Sequence, residues 1–510
     1  MRSITPTSRI LTVAAAAALA TASGCASAPA PVTTPPAEVA VATPTPVAAP
    51  MPTIDSLPPT LGPAPDLKLP PIERRVLPNG LTLLVVEHHE LPIADFLLVV
   101  RSGNEADPAR HADLASLTAA LLREGTATRS SMQIADQLSF LGATLSTGSG
   151  WDMSQLALHT TTAQLDSALA LYADVALRPA FPQKEVDRLK RQRLTDLLQA
   201  KDRARDIADR VFASVLYGTH PYGQPAIGTE ASTKAITRTD VRRYYDRYYR
   251  PNNATLIVVG DVTADDIERR VNALFGKWQR RAVPETRYPA STASSGTPTI
   301  YLVDKPGAPQ SSIRIGNIGV ARTTEDYFAL EVMNTILGGS FTSRLNQNLR
   351  ERRGYTYGAR SGFAMRRQAG PFTASAEVTG TKTDSSLVEF LNELKAIRDT
   401  VSTAELTRAK RYLQLQLPGD FETTSSIAAQ LVPVVLYDLP LDYYSTYVRQ
   451  IEQIGQEDVR RVAEQYVDPS KMAIVIVGDR SSIEGGLKAL NVGEISIRDL
   501  SGAAAATPRR

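Results

Sequence analysis

The side chains that most often carry out chemistry are sparse in this chain. There are five histidines, His88, His89, His111, His159 and His220, and one cysteine, Cys25. No two histidines have the three- or four-residue spacing that puts two rings on one helical face. His88 and His89 are adjacent and, on a strand, point to opposite faces; His111 reads as a surface residue before a helix, and His220, in "THPYG", as a structural turn residue. The helical stretch "DLASLTAALLREGT" (113–126) holds neither histidine nor cysteine, and offers only serine and threonine hydroxyls as nucleophiles. Arg350 and Tyr357, seven residues apart in "LRERRGYTYG", are both hydrogen-bond donors. Taken by themselves they read as a surface ion pair and a half-buried ring.

With one cysteine, no intramolecular disulfide can form. Cys25 ends "MRSITPTSRILTVAAAAALATASGC", two arginines, an apolar run too short to span a bilayer and then small residues, the layout of an export signal over 1–24. Ala22-Ser23-Gly24-Cys25 resembles a bacterial lipobox, which makes Cys25 a lipidation site; simple cleavage after Ala26-Ser27-Ala28 is the alternative. Residues 25–72 are rich in Ala, Pro, Thr and Val, a composition that makes a tether rather than a core. Loss of the signal removes Arg2 and Arg9 from 56 basic residues, leaving 54 against 53 acidic ones and a net charge near +1. Nothing in that balance points to nucleic acid as the main partner, and none is expected.

The elements that would have to position any site come in two copies. "ITRTDVRRYYDRYYRPNNATLIVVGD" (236–261) and "IGQEDVRRVAEQYVDPSKMAIVIVGD" (454–479) match at an offset of 218 residues, and "EVDRLKR" (185–191) matches "ELTRAKR" (405–411) at 220. Ordered matches at nearly one offset indicate a duplication. In the first copy "GLTLLVVEHH" and "ADFLLVVRSG" read as strands, 112–123 as a helix, 142–160 as a β stretch with glycine turns, and 163–214 as mostly helical. The runs "TLIVVG" and "AIVIVG" read as strands covered on both faces. The expected fold is α/β (α+β): two homologous lobes at 73–282 and 300–500, each a mostly antiparallel sheet covered by helices and together half of a clamshell. Residues 283–299 form the linker, and a disordered tail is expected at 501–510.

Several stretches resemble the pitrilysin/insulinase family of zinc metallopeptidases, especially its short bacterial members similar to the mitochondrial processing peptidase. They are "VLPNGLTLLVVEHHELP" (76–92), "LYGTHPYGQPAIGT" (216–229), "YYRPNNATLIVVGD" (248–261) and "NTILGGSFTSRLNQNLRERRGYTYGARS" (334–361). In that family the first-lobe helix carries H-x-x-E-H, two zinc ligands and the glutamate that activates water. Counted back from the Gly-Thr that follows the helix, those three positions fall here on Ser116, Ala119 and Ala120. Alanine neither binds metal nor moves a proton, and one serine hydroxyl is a poor zinc ligand. The family's third ligand maps near Thr195-Asp196, so the resemblance implies that this chain binds no metal itself. It also implies catalytic roles for Arg350 and Tyr357, which match the family's pair of second-lobe residues that hold the substrate carbonyl and stabilise the oxyanion. Donors of this kind supply ~3–4 kcal/mol of transition-state stabilisation.

Family members of this size often act as pairs. The expectation is therefore a zinc-free subunit that binds peptide and acts only with a zinc-bearing homologous subunit, in the periplasm, anchored by lipid. Ala26 in place of aspartate after Cys25 points to the outer membrane. The alternative is an inactive, lipid-anchored peptide-binding or scaffold protein of the same fold. A third reading is a peptidase using Ser116 as nucleophile; no histidine has a sequence spacing that would make it the base, since His111, five residues earlier, precedes the helix.

Overall fold

The computed structural model describes residues 69–286, 288 and 298–504. The expected export signal, Cys25 and almost all of the tether lie outside the described residues, as do most of the linker and positions 505–510. The two lobes belong to one compact unit, and no described helix is long and apolar enough to cross a membrane.

The first lobe is built on a six-stranded mixed sheet with strands β1 (Ile72–Val76), β2 (Thr82–Glu87), β3 (Ile93–Val100), β4 (Thr144–Ser149), β5 (Ser154–Thr161) and β6 (Ala254–Gly260), in the order β1-β2-β6-β3-β5-β4. Only β2 and β6 pair in parallel. Its helices are α1 (Leu114–Leu121), α2 (Ser131–Leu141), α3 (Leu165–Leu177), α4 (Gln183–Ala200), α5 (Ala204–Tyr217), α6 (Glu230–Ala235), α7 (Arg238–Tyr248) and α8 (Ala264–Phe275). The second lobe repeats the plan with β7 (Thr299–Asp304), β8 (Gln310–Ile318), β9 (Thr356–Phe363), β10 (Pro371–Thr379), β11 (Ala473–Gly478) and β12 (Glu494–Arg498), in the order β12-β7-β11-β8-β10-β9. Here β7 is parallel to both β11 and β12. Its helices are α9 (Tyr327–Asn334), a single turn α10 (Arg344–Asn346), α11 (Thr383–Asp399), α12 (Thr403–Gln416), α13 (Thr424–Leu436), α14 (Tyr443–Gln453), α15 (Gln456–Tyr466) and α16 (Arg480–Ala489).

Both expected buried runs are strands whose residues are all buried, β6 and β11. What covers their second face comes from the opposite lobe. Side chains alternate across a strand, so Leu83, Val85, Leu98, Leu256 and Val258 join the first lobe's own core. Leu84, Val86, Leu97, Val99, Ile257 and Val259 face the other way, into the cluster that contains Ile427, Leu431 and Val434 of α13. Reciprocally, Val303, Val475 and Val477 of the second sheet pack with Ile207, Val211 and Phe212 of α5. Each sheet is thus sandwiched between its own helices and one helix lent by the other lobe.

Polar contacts run along the same seam. Arg314 of β8 pairs with Asp209 of α5 at 2.6 Å, and Arg101 makes a two-pronged contact with Asp438 at 2.8 and 2.5 Å. The Arg366 guanidinium lies over the rings of both Trp151 and Tyr222, 4.4 and 4.5 Å from their centroids. Tyr222 also donates to Asp152 at 2.8 Å, whose other oxygen accepts the Arg367 amide at 2.7 Å. Beyond β12, Ala504 bridges back to Arg498, and Arg210 of α5 donates to the carbonyl of Leu500.

Candidate functional site

The first-lobe helix is set by the loop that leaves β3. A Cβ at Gly103 would lie 2.3 Å from the Gly150 carbonyl oxygen, so only glycine lets this loop press onto the β4–β5 turn. The next residues continue the contact, with the Asn104 and Glu105 amides donating to Gly150 and Trp151 at 2.9 and 3.1 Å. Asp107 then accepts from the amides of Asp113 and Ala115, both at 2.9 Å, satisfying donors at the start of α1. Asp113 precedes the helix at φ 81°, a left-handed conformation uncommon for a non-glycine residue. Its buried carboxylate lies 2.7 Å from Arg193 of α4.

Three acids are therefore buried within nine residues. Burial pushes the Glu105 carboxyl up to about 8, with the Asp152 charge adding to it. Burial also holds Asp107 well above the usual carboxylate range and raises Asp113 to about 7, Arg193 offsetting only part of that effect.

Ser116, Ala119 and Ala120 lie on α1, as the sequence predicts. The Ser116 hydroxyl donates to Asn104 Oδ1 at 3.1 Å, which also accepts from Ser149 at 3.2 Å; Ala119 is fully buried. On α4 the Thr195 hydroxyl returns to the Arg191 carbonyl at 3.2 Å and Asp196 accepts from Gln192 at 3.0 Å. A zinc ion requires about four N, O or S ligands in a tetrahedral arrangement. The groups present here do not fit that need: two of the positions are methyl groups, the hydroxyl is engaged, and the nearest buried acid is ion-paired. Among the described residues no three His, Cys, Asp or Glu side chains converge as a metal site.

Three of the histidines are engaged elsewhere. His220 is buried, accepts from the Tyr222 amide at 3.1 Å and stacks on Tyr288, the structural turn role expected of it. His159 meets Asp95 at 3.1 Å and His89 meets Asp261 at 2.8 Å. His88 and His89 lie just past the end of β2.

The second-lobe element is a chain of tight turns ending in an edge strand. After α9 a π-helical turn, Thr335–Gly339, brings Gly338 against β9, where a Cβ would lie 2.3 Å from the Ser361 amide nitrogen. The glycine pair thus ends the helix and permits close packing. Asn334 accepts from the Ser361 hydroxyl at 2.7 Å, and Asn346 ties the loop to the strand by donating to Phe341 at 2.7 Å and accepting from Ala359 at 3.3 Å. A second π-helical turn, Gln347–Arg352, carries Arg350. Its guanidinium lies over the ring of Phe341, 4.6 Å from the centroid, with Nε 3.4 Å from Glu351. Tyr357 on β9 is 91% exposed, and Phe341 is 60% exposed.

Among the described residues the Tyr357 hydroxyl has no hydrogen-bond partner, so it is a free donor presented to solvent beside the turn that bears Arg350. Phe341 was not singled out from the sequence; an aromatic directly after Gly-Gly-Ser in a loop is the signal that marks it. The neighbouring arginines do not act as one positive patch, because Arg344 pairs with Glu405 at 2.7 Å and Arg353 with Glu389 at 2.7 Å. Each sheet also ends in an unshared edge, β4 in the first lobe beside α1 and β9 in the second.

Two family models match in succession, "Insulinase (Peptidase family M16)" over residues 83–230 and "Peptidase M16 inactive domain" over 235–413. An uncharacterized zinc protease of Mycobacterium leprae is 27% identical over 407 residues, covering 79% of this chain and 91% of that protein. The non-peptidase homolog YmxG of Helicobacter pylori is 23% identical over 398 residues, covering 77% and 91%. Among solved structures, the peptidase M16 inactive domain from Pseudomonas fluorescens superposes with a TM-score of 0.75 at 29% identity, covering 80% of this chain and 98% of that one. A protease from Helicobacter pylori superposes at 0.76 with 19% identity, covering 81% and 100%, a likeness of fold. With two six-stranded lobes in the family's order and both family models matched, this chain belongs to the M16 (insulinase) peptidase family.

Proposed function

We propose that this protein is the zinc-free subunit of a two-chain M16 peptidase, contributing half of a chamber and the Arg350 and Tyr357 side chains to an active site whose zinc is held by a homologous partner. The observation that carries this reading is the pairing of an α1 without metal ligands with a Tyr357 hydroxyl that is exposed and unengaged. In this role Arg350, steadied by Phe341, hydrogen-bonds the substrate carbonyl and Tyr357 donates to the oxyanion as it forms. Peptide substrate adds as a strand to a sheet edge, a mode that reads backbone more than side chains. Cys25 carries the lipid that anchors the chain to the outer membrane on its periplasmic side.

A second reading is supported by the non-peptidase relative: a peptide-binding or scaffold protein that works without a catalytic partner. One experiment separates the two. The lipid-free mature chain is used to capture partners from its native envelope, and zinc and peptide hydrolysis are measured on the eluate. Co-elution of an H-x-x-E-H homologue with about one zinc per pair, and a loss of ~100-fold or more in rate for Tyr357→Phe, support the two-chain enzyme. Elution of a lone, inactive chain, or full activity in the Tyr357→Phe complex, rejects it.

A further inference from the structure

The second lobe contains a polar cavity of about 310 Å3 between α9, α12, α13 and α14. Its place follows from the duplication. Aligning Gly339-Ser340 with Gly125-Thr126 carries Ala120 onto Asn334, and the 220-residue offset carries Asp196 onto Gln416. Both Asn334 and Gln416 line the cavity. The second lobe therefore has a polar recess at the counterpart of the first lobe's blank metal position.

Two carboxylates face this recess, Glu331 from α9 and Asp420 from the turn after α12. Among the described residues neither carboxylate accepts a hydrogen bond or joins an ion pair. Burial raises both carboxyls, Arg322 partly offsetting the effect at Glu331. The Arg322 guanidinium pairs with neither acid; it lies 3.5 Å from the centroid of the wall residue Tyr327 and donates to Tyr443 Oη at 2.8 Å. The walls are aromatic, with Tyr327, Tyr412, Tyr444 and Tyr447 all lining the space. Burial, then the Glu331 charge, pushes the Tyr447 hydroxyl up, and the Asp420 charge acts on it in the same direction. Both acids and Tyr447 line the same recess.

Half-buried carboxylates without a direct ion-pair partner, inside aromatic walls, complement an organic cation: the ring faces attract its charge and the carboxylates neutralise it. A metal ion is a poor match, since no third His, Cys, Asp or Glu joins the two acids among the described residues. The volume is at the small end for ligand sites, enough for one side chain or a short amine. We propose that this cavity binds an alkylammonium group, with Glu331 and Asp420 as its counter-charges and the tyrosine rings as its walls. The group could come from a lysine side chain of a bound peptide or from a free alkylamine. The proposal does not depend on a partner subunit.

The test is calorimetric titration of the full mature chain with n-butylammonium, using n-butanol as the uncharged control. Saturable binding of the amine alone is expected, weakened roughly tenfold by Glu331→Gln and by Asp420→Asn. Both substitutions are neutral and nearly isosteric, and circular dichroism verifies that each variant is folded. Cadaverine and a lysine-containing tetrapeptide, with and without Nε-acetylation, distinguish the sources: tighter binding of the unmodified peptide identifies a peptide side chain, and tighter binding of cadaverine a free amine. Absence of saturable n-butylammonium binding, or equal binding by the folded double variant, overturns the proposal.

Discussion

Replacing Glu105 with glutamine should remove a large part of the protein's pH dependence. The side chain is 2% exposed, one oxygen accepts the Gly103 amide at 2.8 Å, and the other has no hydrogen-bond partner. Its carboxyl titrates near 4.5 when solvated and at about 8 in the fold, because burial disfavours the charge and Asp152 repels it. Between those values the folded state holds a proton that the unfolded chain has released. Stability is therefore undiminished below about pH 4.5 and falls as pH rises towards 8, by at most ~1.4 kcal/mol per pH unit for one proton. Over the whole interval the upper bound is ~5 kcal/mol. Asp107 and Asp113 act with the same sign, so wild type should lose stability steeply between pH 5 and pH 8. Glutamine keeps the shape and removes one titration. Urea unfolding followed by circular dichroism at pH 5, 6.5 and 8 should give a slope shallower by about one proton, with the variant the more stable protein at pH 8. Parallel pH profiles for the two proteins would refute the reasoning.

Two further predictions test the packing behind the site. Gly338→Ala puts a methyl group 2.3 Å from the Ser361 amide nitrogen, so β9 must shift; a loss of ~1–3 kcal/mol in thermal or urea unfolding is expected, and, if the proposed two-chain enzyme holds, a fall in its kcat from displaced Tyr357. Phe212→Ala empties a buried position where α5 covers the second sheet. It should cost ~3–5 kcal/mol, with amide exchange accelerating in α5 and β11 together rather than across the first sheet; unchanged exchange in β11 would argue against the lent helix as a structural tie.

Much of the fold is legible from local pattern. Continuous apolar runs and the repetition of segments at offsets of 218 and 220 residues identify two related sheets, because a strand's burial is written in consecutive residues. The exchange of α5 and α13 is not, because an amphipathic helix records that one face is buried and not which sheet buries it. The fully apolar β6 and β11 required a second cover, and the supplier lies in the other lobe. Asp113 illustrates the same limit at one residue: nothing local marks its left-handed backbone or its pairing with Arg193, which comes from a helix far along the chain.

For the site, residue identity determines what chemistry is missing at the positions where the resemblance places H-x-x-E-H. Three positions on one helix are serine and alanine, and no fold turns a methyl group into a ligand or a base. Only the tertiary structure decided the rest: three buried acids before α1 and, in the second lobe, Arg350 over Phe341, Tyr357 exposed on an edge strand, and a recess with two carboxylates. Chemical capacity belongs to the side chain and is read in one dimension. Burial, partnership and the free direction of a donor depend on residues hundreds of positions apart, and exist only once the chain has packed.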